Sequence, residues 1–379
     1  MLKRLSTLAV VGTIVGSVVA ASAVATASAE TKLRAAPGQP PSSPVVSVFY
    51  TNFGTYLEEE SGGELGTALV GMEIVGLKEM KSALNSKLAE VGNVLPAFFP
   101  SDLSDFLMTG DLAMLASDAM TVSAAMTEYV VNCADCQAEL KKFGIVYTGS
   151  VSTDPFVILT RKPVTELADL KGLRLRTPSP PYARFAEAAG AIAVNAPPTE
   201  TFESISQGLL DGEIASVVDL TSYRLLEVVT DVTMIPLGLY YTTIPAAVAA
   251  DVWKARSPEE RKALIGASNR AGADMNQAWG YTSPDKAVAA GKDAGVTFHE
   301  PGASLTEFAD SFVESDLQVA AKAATDNGIA DVETKIATFR SLLEKWEGII
   351  AETGTDPKAV ADRMQTEIWD KVDLSTYGQ

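Results

Sequence analysis

The residue in this 379-residue chain best placed for chemistry is Arg176. It ends the run Asp169-Leu-Lys-Gly-Leu-Arg-Leu-Arg176, just ahead of Thr177-Pro178 and two further prolines, Pro180 and Pro181. The run reads as a short strand, with Leu173 and Leu175 on one face and Arg174 and Arg176 on the other, because strand side chains alternate. The prolines stiffen its exit. An arginine at the carboxyl end of a strand stands where α/β sheets place ligands. Its planar fork fits a carboxylate through two parallel hydrogen bonds. A surface arginine in an ion pair would give the same local pattern, so the surroundings decide.

Other chemistry is sparse. The one histidine, His299, follows the predicted strand 295–298. Alone it cannot build a multi-histidine metal centre, and without a G-x-S-x-G elbow it has no serine to serve. It reads as structural or surface. The two cysteines form one motif, Cys133-Ala-Asp-Cys136. A structural disulfide, a redox pair and half a metal site all share that spacing. A metal site lacks further ligands, and a redox pair belongs at a helix start straight after a strand; export would favour the disulfide. Acidic residues are many, but no pair stands out as glycosidase-like. No P-loop is present, and no G-x-G-x-x-G follows a strand, so no cofactor is expected.

The elements that must position Arg176 alternate along the chain. Strands are predicted at 31–35, 90–96, 144–151, 156–160, 191–194, 211–217, 240–249 and 295–298. Helices are predicted at 45–60, 74–89, 120–143, 165–170, 182–189, 200–210, 221–229, 258–277, 283–294 and most of 304–368. The opening order is strand, helix, helix, strand. Such alternation predicts an α/β protein with mixed, mostly parallel sheets flanked by helices, and a helical C-terminal tail that wraps both halves.

The first 29 residues read as a signal peptide. Met1-Leu-Lys-Arg4 is a charged start, an apolar and small-residue run follows, and Ala27-Ser-Ala29 is an A-x-A site. The mature protein is therefore expected to be exported and soluble. No later stretch has the roughly twenty apolar residues a membrane span needs. Without Lys3 and Arg4, 28 of the 30 basic residues remain against 48 acidic ones, a net charge of −20. Such a surface disfavours nucleic acid and anionic lipid. An anionic ligand would need a local positive site, which raises the importance of Arg176.

Leu167-Ala-Asp-Leu-Lys-Gly-Leu-Arg-Leu-Arg-Thr-Pro178, then Gly190, Pro197-Pro-Thr-Glu-Thr-Phe202 and Gln207-Gly-Leu-Leu-Asp-Gly212, occur in order. Together they resemble the solute-binding receptors of tripartite ATP-independent periplasmic (TRAP) transporters. Val94-Leu-Pro-Ala-Phe-Phe-Pro100, Cys133-x-x-Cys136 and the ending Glu367-Ile-Trp-Asp-Lys-Val-Asp373…Tyr377-Gly378 resemble one branch of them. The resemblance implies a two-lobed periplasmic solute-binding fold, with lobe I at 30–152 plus about 242–282 and lobe II at 153–241 plus about 283–379. It implies that Arg176 binds the ligand carboxylate, that Phe202 is the family's aromatic residue, and that TRAP-type permease subunits receive the acid. Two positions depart from relatives that bind sialic acid or dicarboxylates: Phe156 stands for a second arginine and Ala215 for an asparagine. A monocarboxylate with an apolar or aromatic body is expected. Phe156, Phe202, Ala215, Ser216, Tyr240 or Tyr241, and from the other lobe Asn93, Leu95 and the 40–43 loop, are the expected pocket. A periplasmic enzyme on small carboxylic acids, or a sensor component without a permease, are the rival readings.

Overall fold

The computed structural model describes residues 31–379; the predicted signal peptide lies outside the described residues. Eleven strands form two sheets. They are β1 (Thr31–Ala36), β2 (Leu65–Leu69), β3 (Val91–Val94), β4 (Ile145–Val146), β5 (Val157–Thr160), β6 (Arg174–Arg176), β7 (Ile192–Val194), β8 (Gly212–Ala215), β9 (Asp231–Thr233), β10 (Ile244–Ala249) and β11 (Thr297–His299). The first sheet runs β2-β1-β3-β10-β4, the second β11-β9-β5-β8-β6-β7. β10 is antiparallel to both its neighbours, and β5 to both of its own; the remaining pairings are parallel. Central strands β3, β5, β8 and β10 are buried along their whole length, as strands covered on both faces must be. β10 contains Pro245, which has no N–H for a ladder. The register shifts between Ile244 and Ala247 at that point, and the Pro245 carbonyl accepts from the Tyr50 hydroxyl instead.

The chain passes from the first sheet to the second after β4 and returns before β10. These two crossing segments pair with each other as an antiparallel ribbon: Val151 N–H donates to Thr243 O, Thr153 N–H to Tyr240 O and Phe156 N–H to Gly238 O. A third crossing follows the long helix Pro258–Gln277.

The helices are α1 (Thr51–Glu60), α2 (Met80–Asn85), α3 (Ser104–Met108), α4 (Ala119–Asn132), α5 (Ala134–Phe143), α6 (Pro180–Ala188), α7 (Thr201–Ser206), α8 (Asp219–Ser222), α9 (Ala250–Lys254), α10 (Pro258–Gln277), α11 (Ser283–Asp293), α12 (Ala303–Asp326), α13 (Val332–Thr353) and α14 (Pro357–Glu367). α10 opens on a capping box, Ser257 with Glu260, which satisfies N–H groups that the helix start leaves free. The tail reaches both halves as expected: α12 packs on α6, α13 on α4 and α14 on α10. Near the terminus, Trp253 donates to the Tyr377 carbonyl and Tyr377 to the Tyr147 carbonyl. No helix among the described residues is long and apolar enough to cross a membrane.

Local departures from the sequence reading have local causes. The opening order is strand, helix, strand, helix, strand, because Leu65-Gly-Thr-Ala-Leu69 pairs as β2 despite weak strand propensity. The helix predicted at 74–89 contracts to Met80–Asn85, since Gly71 and Gly76 favour the turns before it. The helix predicted at 120–143 breaks at Cys133, whose side chain caps α5. A disulfide joins Cys133 and Cys136 there.

Candidate functional site

β6 brings Arg174 and Arg176 to one face, as alternation requires, and β8 sets acids opposite them. In the outer rung, Arg174 holds Asp211 at 3.0 Å. In the inner rung, Arg176 pairs in register with Glu213, and Nη1 lies 3.5 Å from Oε2. The outer rung is half exposed, while the inner rung is buried, with side chains 5 % and 0 % accessible. Arg176 Nε also donates to the Ala196 carbonyl at 2.9 Å, and Thr201 Oγ1 donates to Glu213. The guanidinium is thereby held through Nε and Nη1. Pro180 at the first helical position of α6 closes the strand exit without wasting an N–H.

Arg176 faces a cavity with about 550 Å³ of empty space, its open mouth included. Phe156, Phe98, Leu95, Pro178 and Pro198 give it apolar walls, and Trp279 and Tyr240 add aromatic ones. Phe156 stacks on Tyr240 with ring centroids 6.2 Å apart and planes 3° apart, and leans on Tyr182 at 5.0 Å. Across the mouth, Tyr223 donates to Gln39 and Ser42 to the Ser222 carbonyl. The cavity therefore has one cationic fork and a largely apolar body, the usual make-up of a small-molecule site.

A further acid stands near Arg176. Asp219 lines the cavity; it is 4 % exposed, and its Oδ1 has no hydrogen-bond partner among the described residues. Burial, reinforced by the Glu213 charge, pushes its carboxyl well above the usual range, and Arg176 only partly offsets this. Burial likewise raises Glu213 against the pull of Arg176, and pushes Asp154 up to about 7. Asp154 accepts from Ser216 Oγ, which in turn accepts from Trp279 Nε1 at 2.9 Å and Val218 N at 3.0 Å. That hydroxyl is fully engaged as a brace. The Tyr240 hydroxyl also makes no hydrogen bond among the described residues.

Of the residues expected at the site, Arg176, Phe156, Ser216, Tyr240 and Leu95 line this cavity. Four do not. Tyr241 follows Tyr240 in extended chain and so turns away, donating to the Thr109 carbonyl and stacking on Phe339. Ala215 faces the opposite side of β8 from Ser216's contacts and packs in the apolar cluster with Val157 and Leu220. Phe202 sits beneath the Arg224 guanidinium at 4.5 Å; on α7 it is Thr201, one position and about 100° earlier, that reaches the site through Glu213. Asn93 ties down the Pro37 carbonyl at 3.0 Å. His299 pairs with Asp231 at 2.7 Å on the far edge of the second sheet. Asp219, Tyr223 and Trp279 were not foreseen, because they reach the cavity from helix ends with no local pattern of their own. The parity of β8, which sets Glu213 opposite Arg176, was the one signal that could have flagged an acid. Among the described residues, no group of three or more His, Cys, Asp or Glu side chains is arranged to hold a metal ion.

Residues 36–322 match the family described as DctP, bacterial extracellular solute-binding protein, family 7. A solute-binding protein of Albidiferax ferrireducens is 24% identical over 185 residues, which are 49% of this chain and 53% of the relative. The chain thus spans about half the length of the curated relative it matches. A TRAP periplasmic solute-binding protein of Bordetella bronchiseptica, solved with (R)- and (S)-mandelate, is 23% identical, with a TM-score of 0.71 over 83% of this chain and 99% of that one. A TRAP solute-binding protein of Rhodoferax ferrireducens with copurified benzoate is 18% identical, with a TM-score of 0.75 over 84% and 99%. One from a marine metagenome, described as specific for aromatic acids and solved with 3-hydroxybenzoate, is 21% identical, with a TM-score of 0.75 over 84% and 99%. These likenesses establish a shared fold, and the match across 36–322 establishes the family: the chain belongs to the DctP family, the bacterial extracellular solute-binding proteins of family 7.

Proposed function

We propose that this receptor captures a monocarboxylate with an apolar or aromatic body and hands it to a TRAP-type permease in the membrane. One observation carries the reading: a buried arginine, braced by Glu213 and the Ala196 carbonyl, faces a cavity walled by Phe156, Phe98, Leu95 and two prolines. The fork takes the carboxylate; the walls take the body. Neighbouring structures hold mandelate, benzoate and 3-hydroxybenzoate, which supports that ligand class. Phe156, at the position where a second arginine would bind a second charge, supports a single carboxylate.

In this reading the halves built on the two sheets, 30–152 plus 242–282 and 153–241 plus 283–379, are lobes that close on the acid. An acid touching both lobes binds the closed form better and shifts the population toward it. The receptor acts in the periplasm after cleavage near Ala29, as a carrier and not an enzyme. In support, the one histidine pairs with Asp231 and the Ser216 hydroxyl is committed to Asp154, Trp279 and Val218. Thermal shift against benzoate, phenylacetate and mandelate tests the class, since an acid at 100 times its Kd adds about 2.7 kcal/mol. Titration calorimetry then checks the anchor. Arg176→Ala should weaken the best acid by about thirty-fold to several thousand-fold, as expected for losing one partner of a desolvated pair. Unchanged affinity would overturn the assignment.

A further inference from the structure

The cavity holds more negative groups than its one cation can balance. Arg176 on β6 is paired with Glu213 from β8, and Asp219 at the start of α8, which lines the cavity, interacts with both of them and with Asp154 from the segment before β5. The other titratable groups packed there are the phenols Tyr223, Tyr240 and Tyr182, which carry no charge at neutral pH. No lysine or histidine lines the cavity. Were all three acids ionised, an entering carboxylate would join a site already two charges negative. Like charges held together in a buried site repel strongly. Glu213 has Arg176 and Thr201 as partners, and Asp154 has Ser216. Asp219 is different: it lines the cavity and is buried, yet its Oδ1 is unpartnered. A carboxyl group so placed can turn an O–H toward a ligand oxygen only when it holds a proton.

We propose that the receptor binds its acid together with one proton, taken from solvent and held on the Asp219 carboxyl beside Arg176. This rests on the carboxylate reading above and deepens it: Asp219 is a specificity-determining residue, a neutral donor next to the cationic fork. The uptake balances simply, with receptor, carboxylate and one proton giving a complex in which Asp219 is neutral. Ligand entry expels water and adds a negative charge, both of which favour the neutral acid. The upward displacement of Asp219 by burial and by Glu213 agrees with this.

The test is calorimetry with benzoate from pH 5.5 to 9.5, a range in which benzoate is itself ionised, in buffers of differing ionisation enthalpy. The expected result is affinity that weakens toward high pH, by up to about tenfold per unit for one linked proton, with matching proton uptake from the buffer. Asp219→Asn keeps the shape but cannot titrate, and should abolish the slope, whereas Asp154→Asn should retain it. Without any ligand, the melting temperature of Asp219→Asn should rise relative to wild type as pH increases. A raised folded pKa contributes stability below the unfolded value and loses it as pH climbs. A benzoate Kd independent of pH overturns the proposal and leaves the carboxylate reading standing. So does a slope that survives Asp219→Asn. If none of benzoate, phenylacetate and mandelate binds at any pH, the carboxylate reading fails and this proposal fails with it.

Discussion

Arg176 does two jobs that substitution can separate. It is the proposed anchor, and it is also the countercharge of Glu213, whose side chain is fully buried and whose Oε1 has no partner among the described residues. Breaking a buried pair from one side leaves an uncompensated charge and costs about 3–5 kcal/mol, while replacing both partners together is often neutral. Arg176→Met should therefore lower stability by roughly that amount in urea denaturation. Adding Glu213→Gln should restore most of it. Acid binding should be weakened in both variants as in Arg176→Ala, so recovered binding in the double variant would assign the anchor elsewhere. At this scale much of the site was legible. Period-two alternation put Arg174 and Arg176 on one face, away from Leu173 and Leu175, and the aromatic at 156 fell where a second charge would have gone. The same alternation, applied one residue off, explains Tyr241 and Ala215: in extended chain the neighbour of a site residue points away from the site.

Among the elements, β8 matters most, since it carries Glu213 and leads to Ser216 and Asp219. Its first residue, Gly212, sits against β5 so closely that a Cβ there would lie 2.1 Å from the Leu159 carbonyl oxygen and 2.8 Å from the Thr160 methyl. Backbone cannot yield as a flexible side chain can. Gly212→Ala should push β5 and β8 apart, cost at least about 1–3 kcal/mol as other overpacked sites do, and weaken acid binding through the displaced inner rung. Thermal melts and calorimetry read the two effects. The disulfide makes the opposite case. Cys133 and Cys136 close a loop of only four residues at the α4–α5 junction, so the chain-entropy contribution is about 2 kcal/mol. Neither cysteine lines the cavity. Replacing both by serine should lower stability by no more than about that and leave acid affinity unchanged; a large loss of affinity would show that the junction shapes the site. Long helices such as α10 announce themselves by caps and periodicity. β2 and β9 do not, because strands of five and three residues owe their existence to neighbours distant in sequence. Asp219 and Trp279 stayed hidden for the same reason: each is brought to the cavity by tertiary packing, not by the pattern around it.

Across the whole molecule, two opposing fields act on an incoming acid. Contacts that span the cleft, Lys78 with Glu200 at 3.1 Å and Ser42 with the Ser222 carbonyl at 2.6 Å, leave Arg176 buried when they are made. Its attraction is then felt only near the mouth. At longer range the acid meets a protein whose net charge is −20 once Lys3 and Arg4 are removed with the predicted signal peptide, which repels it. Salt screens the two fields unequally, because the Debye length falls from about 30 Å at 0.01 M to about 8 Å at 0.15 M, while buried groups are screened far less. The repulsion should fade and the anchor should persist. The association rate for benzoate is therefore expected to rise with ionic strength, the reverse of the usual steering of a charged ligand to its site, with the dissociation rate nearly constant. Stopped-flow tryptophan fluorescence can follow this, since Trp279 lines the cavity. A rate that falls with added salt would mean that the local field at the mouth is positive and outweighs the rest of the surface. The acids around Arg176 would then have to be largely protonated even before the ligand arrives.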